Sequence, residues 1–186
     1  MSDLEHHIKV ADLRGEILET AQMLVREHFD EFGLVDIREN HPGSPHADTK
    51  TLYLRAPPWP FASIEKAQND KRVVNWPLLQ LDQRFHAVLG SLQHVVGLPL
   101  ARVLIVDLKS GGVINEHRDE GAYAEETERF HYPLKTNPKA ISKIGDEEVN
   151  MTEGSVWWYD KNVMHSAVNG GEEDRIHLIF DCWRTP

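Results

Sequence analysis

Apolar residues recur every three to four positions over residues 12–29, where Leu13, Ile17, Ala21 and Leu24 fall on one face. That spacing predicts an amphipathic helix, with Asp12 as its cap. The same rhythm returns over residues 75–96, through Leu78, Leu81, Phe85, Val88 and Leu92, and stops at Gly97-Leu98-Pro99. Between the two helices, residues 31–48 are rich in turn formers, and residues 51–55 (TLYLR) alternate as a strand. Alternation puts Thr51, Tyr53 and Arg55 on one side of it. From residue 101 the period shortens. Strand-like runs appear at 101–108, 130–134, 140–144, 155–159, 166–169 and 176–183, and Gly, Asn or Asp turns separate many of them. Short strands at this spacing predict a β-sandwich or barrel of about eight strands, with two helices packed against it.

Composition narrows the class. A chain of 186 residues with 40% hydrophobic and 27% charged residues is sized for one globular domain. The expected plan is a single domain over 1–186. Residues 1–100 supply helices and an added strand, and residues 101–186 form the catalytic sandwich. The net charge of −10 argues against a nucleic-acid partner and against attraction to an anionic membrane. No apolar run approaches the roughly 20 residues of a membrane helix. The single cysteine, Cys182, excludes an intramolecular disulfide. Residues 1–10 are polar and acidic and lack a signal-peptide core, so a cytoplasmic location is expected.

The chemistry concentrates at His117-Arg118-Asp119. If residues 115–119 are extended, His117 and Asp119 leave the same face. His165, following the aromatic run Trp157-Trp158-Tyr159, is a third ligand from a distant strand. Two histidines and one carboxylate hold a metal on one side and leave the opposite positions open, the arrangement of non-haem Fe(II) oxygenases. A His-x-Asp pair by itself is weak, since about one is expected by chance in a chain with 11 His and this many Asp. His46-Ala47-Asp48 is a second such pair, but it lies in a Pro/Gly-rich loop and has no third partner in view.

Two Arg-x-His pairs add an anion-binding signal. Arg129 with His131, and Arg175 with His177, share strand faces. An arginine pointing into a sandwich needs an anion, and the guanidinium fork matches a carboxylate. An internal carboxylate, Asp174 or Asp181, would serve as well as a ligand.

The runs HRDEG at 117–121, RFHYPLKTNP at 129–138 and WWYDKNVMHSAVNGGEEDRIHLIFD at 157–181, with HADTKTLYLR at 46–55, carry a resemblance. Together they resemble the aspartyl/asparaginyl β-hydroxylase family of Fe(II)/2-oxoglutarate oxygenases, which has relatives acting on free proline. The likeness extends over about residues 48–183. It implies a mainly β fold with amino-terminal helices and a double-stranded β-helix core of the jelly-roll or cupin type. It also implies Fe(II) on His117, Asp119 and His165, with 2-oxoglutarate and O2 as cosubstrates. Arg175 would hold the distal carboxylate of 2-oxoglutarate, and Arg129 and His131 would lie near its other end or near the substrate. The expected reaction hydroxylates an unactivated C–H of an amino acid, free or in a peptide, and releases succinate and CO2. Arg55 and Arg102 are candidates to meet a substrate carboxylate, and Trp157 to wall the pocket. The competing reading is a cupin-like metal module that senses a ligand without turnover.

Overall fold

The structure, a computed structural model, describes residues 5–60 and 63–184. Residues 1–4 of the polar amino-terminal stretch lie outside the described residues. In chain order the first elements are β1 (His7–Asp12), α1 (Glu16–Glu27), α2 (Ile37–Asn40), β2 (Thr49–Ala56), α3 (Ile64–Asn69) and β3 (Val74–Asn75). Next come α4 (Pro77–Leu81), α5 (Arg84–Val96), β4 (Leu100–Leu108), β5 (Val113–His117) and α6 (Ala122–Glu125). The chain closes with β6 (Thr127–Lys135), β7 (Ala140–Ile144), β8 (Glu147–Val149), β9 (Ser155–Tyr159), β10 (His165–Asn169) and β11 (Arg175–Trp183).

The strands form two antiparallel sheets. The larger has the order β1-β9-β6-β11-β4-β2-β3 and the smaller β5-β10-β7-β8. From β4 onward the chain passes back and forth between the sheets, with only the β7–β8 hairpin staying in one. This winding is the expected double-stranded β-helix. Alternation along β11 explains the layering. Ile176, Leu178, Phe180 and Cys182 join the main apolar core with Leu24 and Val25 of α1 and Phe85, Val88 and Leu92 of α5. Arg175, His177, Ile179 and Asp181 take the opposite face, toward the smaller sheet. The large sheet therefore has a dry side under helices and a polar side that houses the chemistry.

Three local expectations are corrected. Asp12 does not cap α1. It ends β1, which pairs antiparallel with β9, and its carboxylate meets Lys9 Nζ at 2.7 Å. β1 is an edge strand, and much of what holds it comes from β9. The long second helix is broken between α4 and α5, because the Asp82 carboxylate accepts from the backbone N–H of Arg84 at 3.0 Å while Asp82 itself is extended. Gly97 closes α5 as expected, in the left-handed conformation at φ +71°. Finally, eleven strands are present among the described residues rather than about eight. The extra ones are short or lie at edges, where hydrophobic alternation is weakest.

Candidate functional site

His117 ends β5 and His165 begins β10, and the antiparallel register places them directly opposite each other. Their rings lie 4.3 Å apart, centre to centre. Two residues on, Asp119 turns back toward them, and its backbone N–H is held by the carbonyl of Lys161 at 3.0 Å. His117 Nε2 and Asp119 Oδ1 are 3.9 Å apart. One ligand atom from each of His117, Asp119 and His165 falls within 4.8 Å of the others.

The ring orientations are fixed from behind. The Nδ1–H of His117 donates to the carbonyl of Asn115 at 2.7 Å, and that of His165 to the carbonyl of Val163 at 2.9 Å. Both Nε2 lone pairs therefore face the shared space, the tautomer a metal ligand requires. Burial holds both rings neutral: it pushes His117 below its ordinary value and His165 down to about 4. Burial pushes the Asp119 carboxyl up, but the Arg129 guanidinium, acting together with His165, His117 and Lys161, holds the group below its ordinary value. The donor set is thus two neutral imidazoles and a carboxylate, all in the state that binds Fe(II).

Arg129 is not free to meet a ligand as the sequence suggested. Nη1 pairs with Asp119 Oδ2, while Nε and Nη2 pair with Asp181 Oδ1 and Oδ2 at 2.9 and 3.2 Å. It grips one oxygen of Asp119 and leaves Oδ1 toward His117. Arg175 is different. Only 3% exposed, it contacts Ser142 Oγ at 3.3 Å and His177 Nδ1 at 2.9 Å, and among the described residues no carboxylate pairs with it. Asp174 bonds instead to the backbone of Ser110, and Asp181 to Arg129. Burial without a counter-ion depresses the Arg175 guanidinium to about 10.

A continuous chain of rings joins Arg175 to the ligand trio. His177 Nδ1 lies 3.3 Å from His131 Nδ1, the His131 ring lies 4.7 Å from Tyr159, and Tyr159 lies 5.0 Å from His165. His177 Nε2 is buried without a partner.

In front of the trio opens a cavity of about 250 Å³, lined by His117, Asp119 and Arg129 and by Arg38, His46, Tyr53, Arg102, Tyr123 and Lys161, among others. His165, His131 and Arg175 are not among its lining residues. Of the proposed substrate contacts, only Arg102 lines this cavity. The register of β2 against β4 slips between Tyr53 and Arg55, so that Ala56 rather than Arg55 reaches it. Trp157 packs with Ile144, Met151 and Tyr159, and its indole N–H donates to Ser155 Oγ at 2.6 Å, so it is part of a core cluster.

Arg38, His46 and Lys161 are among the lining residues that sequence reasoning missed. Arg38 comes from α2. His46 stacks edge-on against His117 at 4.7 Å, although its neighbour Asp48 points away to Lys109 and the N–H of Val113. Lys161, 1% exposed, donates to Thr127 Oγ1 at 2.5 Å, and burial lowers its ammonium to about 8. The one available signal was His46, inside a run that resembles the family.

The family model for aspartyl/asparaginyl beta-hydroxylase matches residues 68–185, well over half of the chain. The chain belongs to that family. As an aspartyl/asparaginyl β-hydroxylase family member it is a 2-oxoglutarate-dependent hydroxylase that uses Fe(II) and O2. Solved structures agree in fold. A Pseudomonas putida prolyl-4-hydroxylase is 11% identical, with 96% of this chain and 93% of that one covered at a TM-score of 0.55. A 2OG-Fe(II) oxygenase from Burkholderia pseudomallei is 13% identical, with coverage of 94% and 96% and a TM-score of 0.54. The non-heme alpha ketoglutarate dependent epimerase SnoN of nogalamycin biosynthesis is 11% identical, with coverage of 95% and 77% and a TM-score of 0.58. No curated protein matches the sequence. No helix among the described residues is long and apolar enough to cross a membrane.

Proposed function

We propose that this hydroxylase acts on an unactivated C–H of an amino acid, free or within a peptide. In this reading His117, Asp119 and His165 hold the iron, and Arg175 holds the distal carboxylate of 2-oxoglutarate. The observation that carries it is the meeting of two features between the sheets: three converging ligand atoms at β5 and β10 of the smaller sheet, and on β11 of the larger sheet a buried arginine with no counter-ion among the described residues. Bound Fe(II), with 2-oxoglutarate and O2, supplies the oxidising power, and succinate and CO2 leave as coproducts.

The chain's own residues supply geometry. The carbonyls of Asn115 and Val163 lock both imidazoles in the ligating tautomer. Arg129 keeps Asp119 ionised and aimed. Arg175 and Ser142 offer a guanidinium and a hydroxyl to one carboxylate, while His131, His177 and Tyr159 wall the space between that carboxylate and His165. A ligand sensor built on the same trio has no need of a buried, uncompensated arginine behind it, so Arg175 favours turnover.

We read the chain as one domain in which residues 1–100 add helices and the strands β1, β2 and β3 to the sandwich of residues 101–186. The free, buried thiol of Cys182 supports a reducing compartment such as the cytoplasm. The net charge of −10 supports a small or peptidic partner over nucleic acid.

The test is anaerobic addition of Fe(II) and 2-oxoglutarate, followed by oxygen. A visible metal-to-ligand charge-transfer band is expected first. Succinate release stimulated by a member of an amino-acid and peptide panel is expected second. Absence of the band sinks the reading.

A further inference from the structure

The walls of the cavity are cationic in a chain that is acidic overall. Four buried or half-buried cations line it, Arg38, Arg102, Arg129 and Lys161, against the carboxylates Asp119 and Asp181, with Arg118 and Glu120 paired at its rim. Arg129 already satisfies both inner carboxylates. Among the described residues, Arg38, Arg102 and Lys161 have no carboxylate partner. Taking charge out of water without a partner is costly, so such a surplus points to an anion that arrives from outside.

The three cations are not equivalent. Arg102 is largely committed: Nη2 donates to the carbonyls of Ala67 and Asp70, both at 2.7 Å, its guanidinium carbon lies over the Tyr123 ring at 3.5 Å, and its Nε is buried away from the cavity without a hydrogen-bond partner among the described residues. Lys161 is tied to Thr127. Arg38 makes one long contact, from Nη1 to Thr49 Oγ1 at 3.4 Å, and among the described residues its other donors have no hydrogen-bond partner. Its neighbour Glu39 turns away and accepts from the Thr51 hydroxyl. Burial depresses the Arg38 guanidinium. The residue also precedes the stretch matched by the family model, 68–185.

We infer that Arg38 is a specificity-determining residue: it receives a carboxylate of the primary substrate, a small amino acid bound in the cavity ahead of His117 and Asp119. The guanidinium fork suits a carboxylate two oxygens at a time. The cavity, about 250 Å³, lies just below the roughly 300–1,000 Å³ of drug-sized ligand pockets and suits a single amino acid. This deepens the functional reading above and rests on it for the identity of the reacting site. It replaces Arg55 and Arg102 as the carboxylate anchor.

The test separates the two. Protein loaded anaerobically with Fe(II) and with the unreactive 2-oxoglutarate analogue N-oxalylglycine, which fills the Arg175 side, is titrated with each of the twenty amino acids and with its carboxamide, by thermal shift and calorimetry. At least one free acid is expected to bind, with its amide at least tenfold weaker. Arg38→Gln is expected to weaken that acid at least tenfold and to erase the acid-over-amide preference. Arg38→Lys, which keeps the charge and loses the fork, is expected to fall between them. Circular dichroism confirms that each variant is folded, and if Arg38→Gln is not, Arg38→Lys carries the comparison. Equal binding of acid and amide overturns the inference, as does unchanged affinity in the Arg38 variants or no binding by any of the twenty acids. Failure of the iron–2-oxoglutarate band in wild-type protein would instead strike the functional reading, and the acid–amide contrast and its loss in the Arg38 variants would still decide the inference by calorimetry.

Discussion

His117 and His165 face each other across the β5–β10 pair, and each is pinned through Nδ1 by the carbonyl two residues before it. The mirrored arrangement means that strand register, rather than loop conformation, fixes two of the three ligating atoms. Replacing His165 or Asp119 with alanine should therefore abolish stoichiometric iron while leaving the fold intact, read by metal analysis beside circular dichroism. Asp48→Ala, at the other His-x-Asp pair, should keep its iron. It should lose about 1 kcal/mol of stability, since Asp48 only caps the N–H of Val113 and pairs with Lys109. Loss of iron from the Asp48 variant would mean that the trio is wrongly chosen.

Arg175 should control cosubstrate affinity separately from iron. Arg175→Lys retains charge but not the fork, and a rise in the 2-oxoglutarate KM of about tenfold is expected. Arg175→Ala should be worse, because the distal carboxylate would then be buried unpaired, a cost of several kcal/mol at most. Titration of the charge-transfer band against 2-oxoglutarate gives the answer. An unchanged curve in the alanine variant would reduce this arginine to a structural part held by Ser142 and His177.

Arg129 bridges Asp119 and Asp181, so its loss strands two carboxylates at once. Arg129→Met should destabilise the protein by about 3–5 kcal/mol, the range for breaking a buried pair. Without the guanidinium, burial pushes the Asp119 carboxyl up. The variant should then shed metal at a higher pH than the wild type as acid is added. Urea melts and metal content across mildly acidic pH test both parts.

Asp107 gives a pH dependence remote from the site. Burial, reinforced by Asp174, pushes its carboxyl up to about 6, and one oxygen has no hydrogen-bond partner. The folded state thus holds this proton more tightly than the unfolded chain. Its contribution favours folding below the ordinary carboxylate range and is lost as pH rises through about 6. Asp107→Asn should be more stable than wild type by roughly 2–3 kcal/mol near pH 8, with the difference vanishing near pH 4. A difference independent of pH would refute the assignment.

What the sequence determined by itself is periodic. Alternation along residues 176–182 separates the helix-facing residues from Arg175, His177, Ile179 and Asp181, and the spacing in His117-Arg118-Asp119 puts two ligating types within reach of each other. Those facts follow from backbone geometry alone. The fold class and the family likeness were legible for the same reason, since they lie in ordered strand motifs. Only the tertiary structure decided who pairs with whom. Arg129 and Arg175 sit in look-alike Arg-x-His patterns, yet among the described residues one finds two carboxylates and the other none. The one-residue slip in β2 took Arg55 off the cavity wall. Arg38, His46 and Lys161 arrive from a short helix and from loops, where no period marks a side chain's direction. Their place depends on how those segments close over the polar face of the large sheet, and that is settled by packing between residues far apart in the chain.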